Sequence, residues 1–150
     1  MASTLKRFAI WTGGLLLLLF ACVVFRIWYD FRSYRITHQR EAARLIAEFH
    51  HRFNDRDLAA ICRDAYRCSD LPGLRQDWQR LLDDTRNRGG MFRSVVQSDI
   101  NVYVEPPSVW ANVDSSFGKG ELREIFMMKD YEGGLKIFTY KTVTKEEATP

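Results

Sequence analysis

VWANVDSSFGKGELREIFMMKDYEGGLKIFTYKTV, residues 109–143, decides the fold. Val109, Ala111, Val113, Ser115 and Phe117 fall on one side of its first run, and Trp110, Asn112, Asp114 and Ser116 on the other. A period of two is the pattern of a half-buried strand. Gly118-Lys119-Gly120 is expected to supply the positive φ angles of a tight turn, after which Leu122 to Met128 runs back. Asp130-Tyr131-Glu132-Gly133-Gly134 makes a second turn, and Leu135 to Val143 follows as a third strand carrying Ile137, Phe138, Tyr140 and Val143. The stretch reads as an antiparallel meander, and a meander buries one face only when something covers it.

The cover has to come from upstream. From about His38 the spacing is helical, with Ala42, Leu45, Ile46, Phe49 and Phe53 recurring every three or four residues. Asn54-Asp55 breaks that helix, and Asp57 is placed to cap a short second one carrying Leu58, Ile61 and Ala65. Ser69 to Gly73 is a loop by composition. A third helix runs from near Leu74 to Arg88, with Leu74, Trp78, Leu81, Leu82 and Thr85 on one stripe and Gly89-Gly90 as its stop. A further strand, Met91 to Val104, sets Ile100, Val102 and Val104 against Asp99, Asn101 and Tyr103, with a break expected near Gln97-Ser98-Asp99. Glu105-Pro106-Pro107-Ser108 turns the chain, since proline cannot continue a central ladder.

Phe8 to Phe25 contains no charge and is bounded by Lys6-Arg7 and Arg26. Its helical length is roughly 27 Å, close to the hydrocarbon thickness of a bilayer. Trp11 at one end and Trp28 with Tyr29 at the other suit an interfacial aromatic belt, and the segment reads as a single transmembrane helix. Three other readings compete. A cleaved signal wants small residues where Phe20 to Phe25 stays apolar up to Arg26. A lipoprotein signal ending at Cys22 is opposed by the bulky Phe20 and the apolar residues that follow, so that Cys22 fits better as a small apolar residue inside a helix. A soluble core helix without any charge over this length is unusual in so small a domain. The chain divides into an anchor, residues 1–26; a juxtamembrane linker rich in aromatics and arginines, 27–37; an α+β domain, 38–143; and a frayed tail, 144–150.

The formal charge of +3 is misleading. Lys6, Arg7 and Arg26 flank the apolar segment, and the remaining 19 basic residues balance all 19 acidic ones. Nucleic-acid binding has no electrostatic support. Basic residues beyond the segment would, by the positive-inside rule, put the carboxyl-terminal domain in the cytoplasm, whereas Cys62 and Cys68 pull toward an extracytoplasmic, periplasmic side. On an unbroken helix these two cysteines are about 9 Å apart in rise, beyond the roughly 7 Å reach of a disulfide. They can be bridged only if the helix ends near Tyr66; two free thiols are the competing reading. No metal-ligand spacing, phosphate loop or nucleophile elbow occurs, and no cofactor is expected.

Acid–base chemistry needs a carboxylate or histidine oriented by a partner inside the fold. His50 and His51 are adjacent on a helix, so at most one faces the sheet squarely. Asp99 and Tyr103 share a strand face and are candidates to line a ligand pocket, though solvent-facing strand residues have the same spacing. Glu124 shares its side with Leu122, Phe126 and Met128, which makes it a third pocket candidate; a charge on an edge strand is the alternative.

The helix from Ala42 to Asp57 with its Phe53-Asn54-Asp55 ending, the Gly89-Gly90 stop and the hairpin Phe117-Gly118-Lys119-Gly120-Glu121-Leu122-Arg123-Glu124-Ile125-Phe126 together resemble the nuclear transport factor 2-like superfamily, in its small extracytoplasmic bacterial form, over residues 38–143. The resemblance implies helices packed on a curved antiparallel sheet, a cystatin-like cone-shaped roll. It also implies either an acid or base inside the cone or a domain that only binds or scaffolds. The expected function is a membrane-anchored, non-enzymatic binding or scaffolding domain. It would be held to lipid by residues 8–25 and contact a protein partner or a second copy through Trp110 and Asn112. The alternative is a small-ligand or lipid-binding domain, or an enzyme, that uses the cone interior.

Overall fold

Alternation of apolar residues along four consecutive segments, and helical spacing before them, gives an α+β chain in the order α1 (Ala2–Asp55), α2 (Leu58–Asp64), α3 (Pro72–Gly89), β1 (Phe92–Tyr103), β2 (Ser108–Phe117), β3 (Gly120–Tyr131) and β4 (Gly134–Thr144). The computed structural model describes the backbone of residues 2–104, 106–131 and 134–144, and side chains from Gly14 onward. The side chains of Lys6, Arg7 and Trp11, the turn residues Glu105, Glu132 and Gly133, and the tail from Lys145 lie outside the described residues. Two compact units are present, residues 1–36 and 37–150. In the first, α1 is helical throughout, including the stretch 27–36, and the part from Gly14 is long and apolar enough to cross a membrane.

In the second unit the end of α1 buries Ala42, Leu45, Ile46, Phe49 and Phe53. Arg56 turns the chain with a φ of 59°, and the Asp57 carboxylate accepts from Ala60 N at 2.9 Å to start α2. A disulfide joins Cys62 to Cys68 across a Cα separation of 4.8 Å, because α2 stops at Asp64 and the chain doubles back. There Ala65 and Tyr66 reach the sheet, Tyr66 N donating to Ile137 O at 2.9 Å. Pro72 opens α3, which buries Trp78, Leu82 and Thr85. The two glycines at its end differ in role: a Cβ on Gly89 would lie 2.8 Å from the Leu122 side chain, so the helix rests directly on the sheet, while Gly90 carries the positive φ of 83°.

The sheet is an antiparallel meander in the order β1-β2-β3-β4. In the β2–β3 turn the positive φ belongs to Gly120, at 149°, whereas Gly118 instead donates to Met91 O at 2.8 Å and ties the hairpin to the end of α3. The irregularities in β1 fall between Phe92 and Ser94 and between Val95 and Gln97, earlier than the sequence break suggested. In β4 a bulge leaves Phe138 without a partner, so Ile137 and Tyr140, three apart, both face inward.

The helices meet the inward face through aromatic rings. Phe49 of α1 packs edge-on to Phe126 with centroids 5.2 Å apart and lies 4.7 Å from Tyr140; Trp78 of α3 stacks on Tyr140 at 6.3 Å; Phe53 meets Phe117 at 6.0 Å. Phe126 is wholly buried in this cluster, against Phe49, His50 and Tyr140. Truncating it to alanine is expected to cost about 3–5 kcal/mol, against about 0.5 kcal/mol or less for alanine at the exposed Gln79 on α3. Chemical denaturation of the full chain in detergent, followed by near-ultraviolet circular dichroism, measures both.

Candidate functional site

Two places on the sheet hold the candidate residues, one on each face. β3 lies between β2 and β4, so Glu124 is on a central strand and the edge-strand reading of its charge does not apply. The alternation that buries Leu122, Phe126 and Met128 also buries Glu124, whose exposure is 0%. A carboxyl group in such surroundings needs partners for its oxygens. Oε1 accepts from the Tyr140 hydroxyl at 2.7 Å, and Oε2 accepts from the Ser115 hydroxyl and meets His50 Nε2 at 2.7 Å.

Each partner is held by its own element. His50 reaches the sheet because it shares the inward stripe of α1 with Phe49 and Phe53, and its ring lies flat on Phe92, centroids 3.8 Å apart and planes 4° from parallel. Its Nδ1 has no hydrogen-bond partner among the described residues, so the ring proton belongs on Nε2, where the Glu124 carboxylate can take it. Ser115 is the one polar residue on the inward side of β2, after Val109, Ala111 and Val113. Tyr140 faces inward through the β4 bulge, and burial, with the Glu124 charge and hydrogen bond adding to it, pushes its phenol well above the ordinary range. Tyr140 is therefore a fixed donor. Beyond it Thr85 and Thr142 approach to 3.4 Å, and Arg88 donates to the Thr142 hydroxyl at 2.5 Å. The chain of polar groups thus runs from the core to the rim.

The other face is open. Two cross-strand rows, Asp99–Asn112–Ile125 and Gln97–Asp114–Arg123, line a cleft of about 480 Å³. Arg123 grips Asp114 with two hydrogen bonds, Nε to Oδ1 at 2.7 Å and Nη2 to Oδ2 at 3.1 Å. Asp99 also accepts from Asn101 Nδ2 at 3.0 Å. Trp110, 43% exposed, stands next to Asn112 in the outward series, paired with Asn101 and Met127.

The three expected pocket residues do not form one pocket. The register sets Glu124 opposite the inward Val113, while Asp99 pairs with the outward Asn112, so the sheet itself lies between them. Tyr103, 51% exposed, is on the outward face but away from the cleft lining. His51 is on the surface, paired with Asp55 at 2.8 Å. Ser115 and Tyr140 carried no functional role in the sequence reading; the available signal was a hydroxyl on an otherwise apolar face, which must find a partner. Among the described residues no group of three or more His, Cys, Asp or Glu side chains converges as a metal site. Set against protein-family models, characterised proteins and solved structures, the chain matches none.

Because the folded-state phenol of Tyr140 is raised, its stabilising contribution is complete below the ordinary tyrosine value of about 10 and is lost as pH rises beyond it. Tyr140→Phe is expected to cost about 1–3 kcal/mol at pH 7, leaving Glu124 Oε1 without its donor. The gap from the native protein should narrow above pH ~10. Denaturation midpoints of both proteins, measured on the two sides of that pH, check the sign.

Proposed function

We propose that this chain is a single-pass membrane protein displaying a cone-shaped α+β domain of the nuclear transport factor 2-like type. The domain acts by binding a protein partner or a second copy, without catalysis. The observation that carries the reading is the closure of the Glu124 cluster. The group best suited to acid–base work is 0% exposed, and both of its oxygens are already occupied by His50, Ser115 and Tyr140, which are buried as well. A substrate has no route to its lone pairs. The outward face offers the features of a contact surface instead: an exposed Trp110, the amide of Asn112 and an arginine, Arg123, beside a cleft.

The apolar helix from Gly14, with every side chain as far as Ser33 exposed, supports the membrane anchor. The Cys62–Cys68 bridge supports an extracytoplasmic, periplasmic domain, since such bridges persist in oxidising compartments. A second reading, a small ligand or lipid held in the interior of the cone, is favoured by the unpartnered, buried Nδ1 of His50.

A photo-crosslinking residue at position 110 in the full-length protein in membranes separates the two. Adduct formation at 110, its absence at the exposed Gln79 of α3, and unchanged adduct yield in Glu124→Gln are the expected results. Equal yields at 110 and 79, or loss of the adduct in Glu124→Gln alone with the fold intact, contradict the proposal. The side of the membrane is read from the cysteines: they should become reactive to an impermeant thiol reagent only after an impermeant reductant is added.

A further inference from the structure

The first part of the chain carries an asymmetry that the proposed anchor does not by itself require. At 100° per residue, Trp28, Phe31, Arg32 and Arg35 of α1 fall within an arc of about 100°, and that arc contains no acidic residue. The one acidic side chain nearby, Asp30, lies on the opposite side of the helix, where it pairs with Arg26 at 3.5 Å. Arg26 therefore has a carboxylate beside it on that side, and among the described residues no ion pair is formed by Arg32 or Arg35.

Both of those arginines fold back along the helix. The Arg32 guanidinium carbon sits 5.3 Å from the centroid of the Trp28 ring and that of Arg35 sits 5.9 Å from the Phe31 ring, in each case over the residue four positions earlier. Helical side chains lean toward the amino terminus, and here that direction leads to the apolar segment. The level that matters is therefore that of the rings. Trp28 lies roughly 4.5 Å and Phe31 roughly 9 Å beyond Phe25, the last residue of the uncharged run. A headgroup layer is about 5–7 Å thick on each side of the hydrocarbon. The Arg32 head is thus inside that layer and the Arg35 head about 2 Å beyond it, within reach of phosphates at the surface through its N–H edges. Stacking on a ring uses the guanidinium face and leaves the N–H edges free for the bidentate grip on phosphate oxygens.

We propose that this face of α1 is a binding surface for the phosphate groups of acidic phospholipids. The inference rests on the reading of α1 as a membrane span. A zwitterionic headgroup brings its own cation to compete for the phosphate, and an acidic one does not, so the surface selects by net charge. An arginine near an acidic membrane surface is worth about a fivefold preference.

The full-length protein reconstituted in phosphatidylcholine vesicles, with spin-labelled phosphatidylglycerol or phosphatidylcholine as the probe, gives the test. The fraction of each probe immobilised at the protein is read by electron paramagnetic resonance. The native chain is expected to prefer phosphatidylglycerol by at least about fivefold. Arg32→Gln with Arg35→Gln should bring the ratio below about twofold, and Arg26→Gln should leave it near the native value. Inorganic phosphate, compared with chloride at equal ionic strength, should not displace the lipid; displacement would assign the surface to free phosphate and overturn the proposal. An unchanged ratio in the double variant overturns it too, while the immobilised signal itself upholds the membrane span. No immobilised signal from either lipid removes the span and this inference together.

Discussion

A carboxyl group cannot be taken out of water cheaply. Moving Glu124 into the apolar core costs several kcal/mol unless good donors meet it there. The donors come from three elements: His50 from α1, Ser115 from β2 and Tyr140 from β4. Ring contacts such as Phe49 with Phe126 and Phe53 with Phe117 hold α1 on the sheet but are less directional than a hydrogen bond. The Nε2 to Oε2 contact of 2.7 Å is such a bond. The Glu124 cluster therefore ties α1, β2 and β4 together inside the core, alongside the hydrogen bonds that Asn54 makes to the Phe92 backbone at the end of α1.

The two faces of the sheet differ in how their polar groups are satisfied. The inward face is filled by rings and by the Ser115 and Tyr140 hydroxyls that point at Glu124, with Nδ1 of His50 buried and unpartnered among the described residues. The outward face has rows of polar side chains that satisfy one another only in part, with Arg123 and Asp114 paired and Asp99 and Asn112 facing the cleft. Diverting Ser115, Tyr140 or the Nε2 of His50 from Glu124 would cost stability, because the carboxyl group would then be buried without that donor.

Much of this was legible in the sequence. The alternation from Val109 to Phe117 gave the inward and outward residues of β2 correctly, and Gly89-Gly90 and Asn54-Asp55 marked the helix ends, because these are local signals that need no tertiary partner. The same kind of alternation puts Glu124 on the side of Leu122, Phe126 and Met128, but one strand does not show whether it is central or an edge, and only the strand order, with β3 in the middle, closes the edge-strand alternative. What could not be read was who meets Glu124, since His50 is 74 residues away in the chain and adjacency on a helix did not say whether His50 or His51 would turn in. The bulge at Phe138, which puts Tyr140 inward against simple alternation, has no local signal either. That Asp99 and Tyr103 share one face follows from their spacing, but which face Glu124 takes relative to them is set by register, and register between strands is not visible from one strand at a time.

The central claim is that His50 and Glu124 act as one unit holding helix to sheet. A double-mutant cycle with His50→Gln and Glu124→Gln, read from unfolding free energies of the full chain in detergent, addresses it directly. A coupling of about 1.5–3 kcal/mol between the two positions is the predicted result. Additivity within about 0.5 kcal/mol would mean that the two side chains do not depend on each other and would contradict the account.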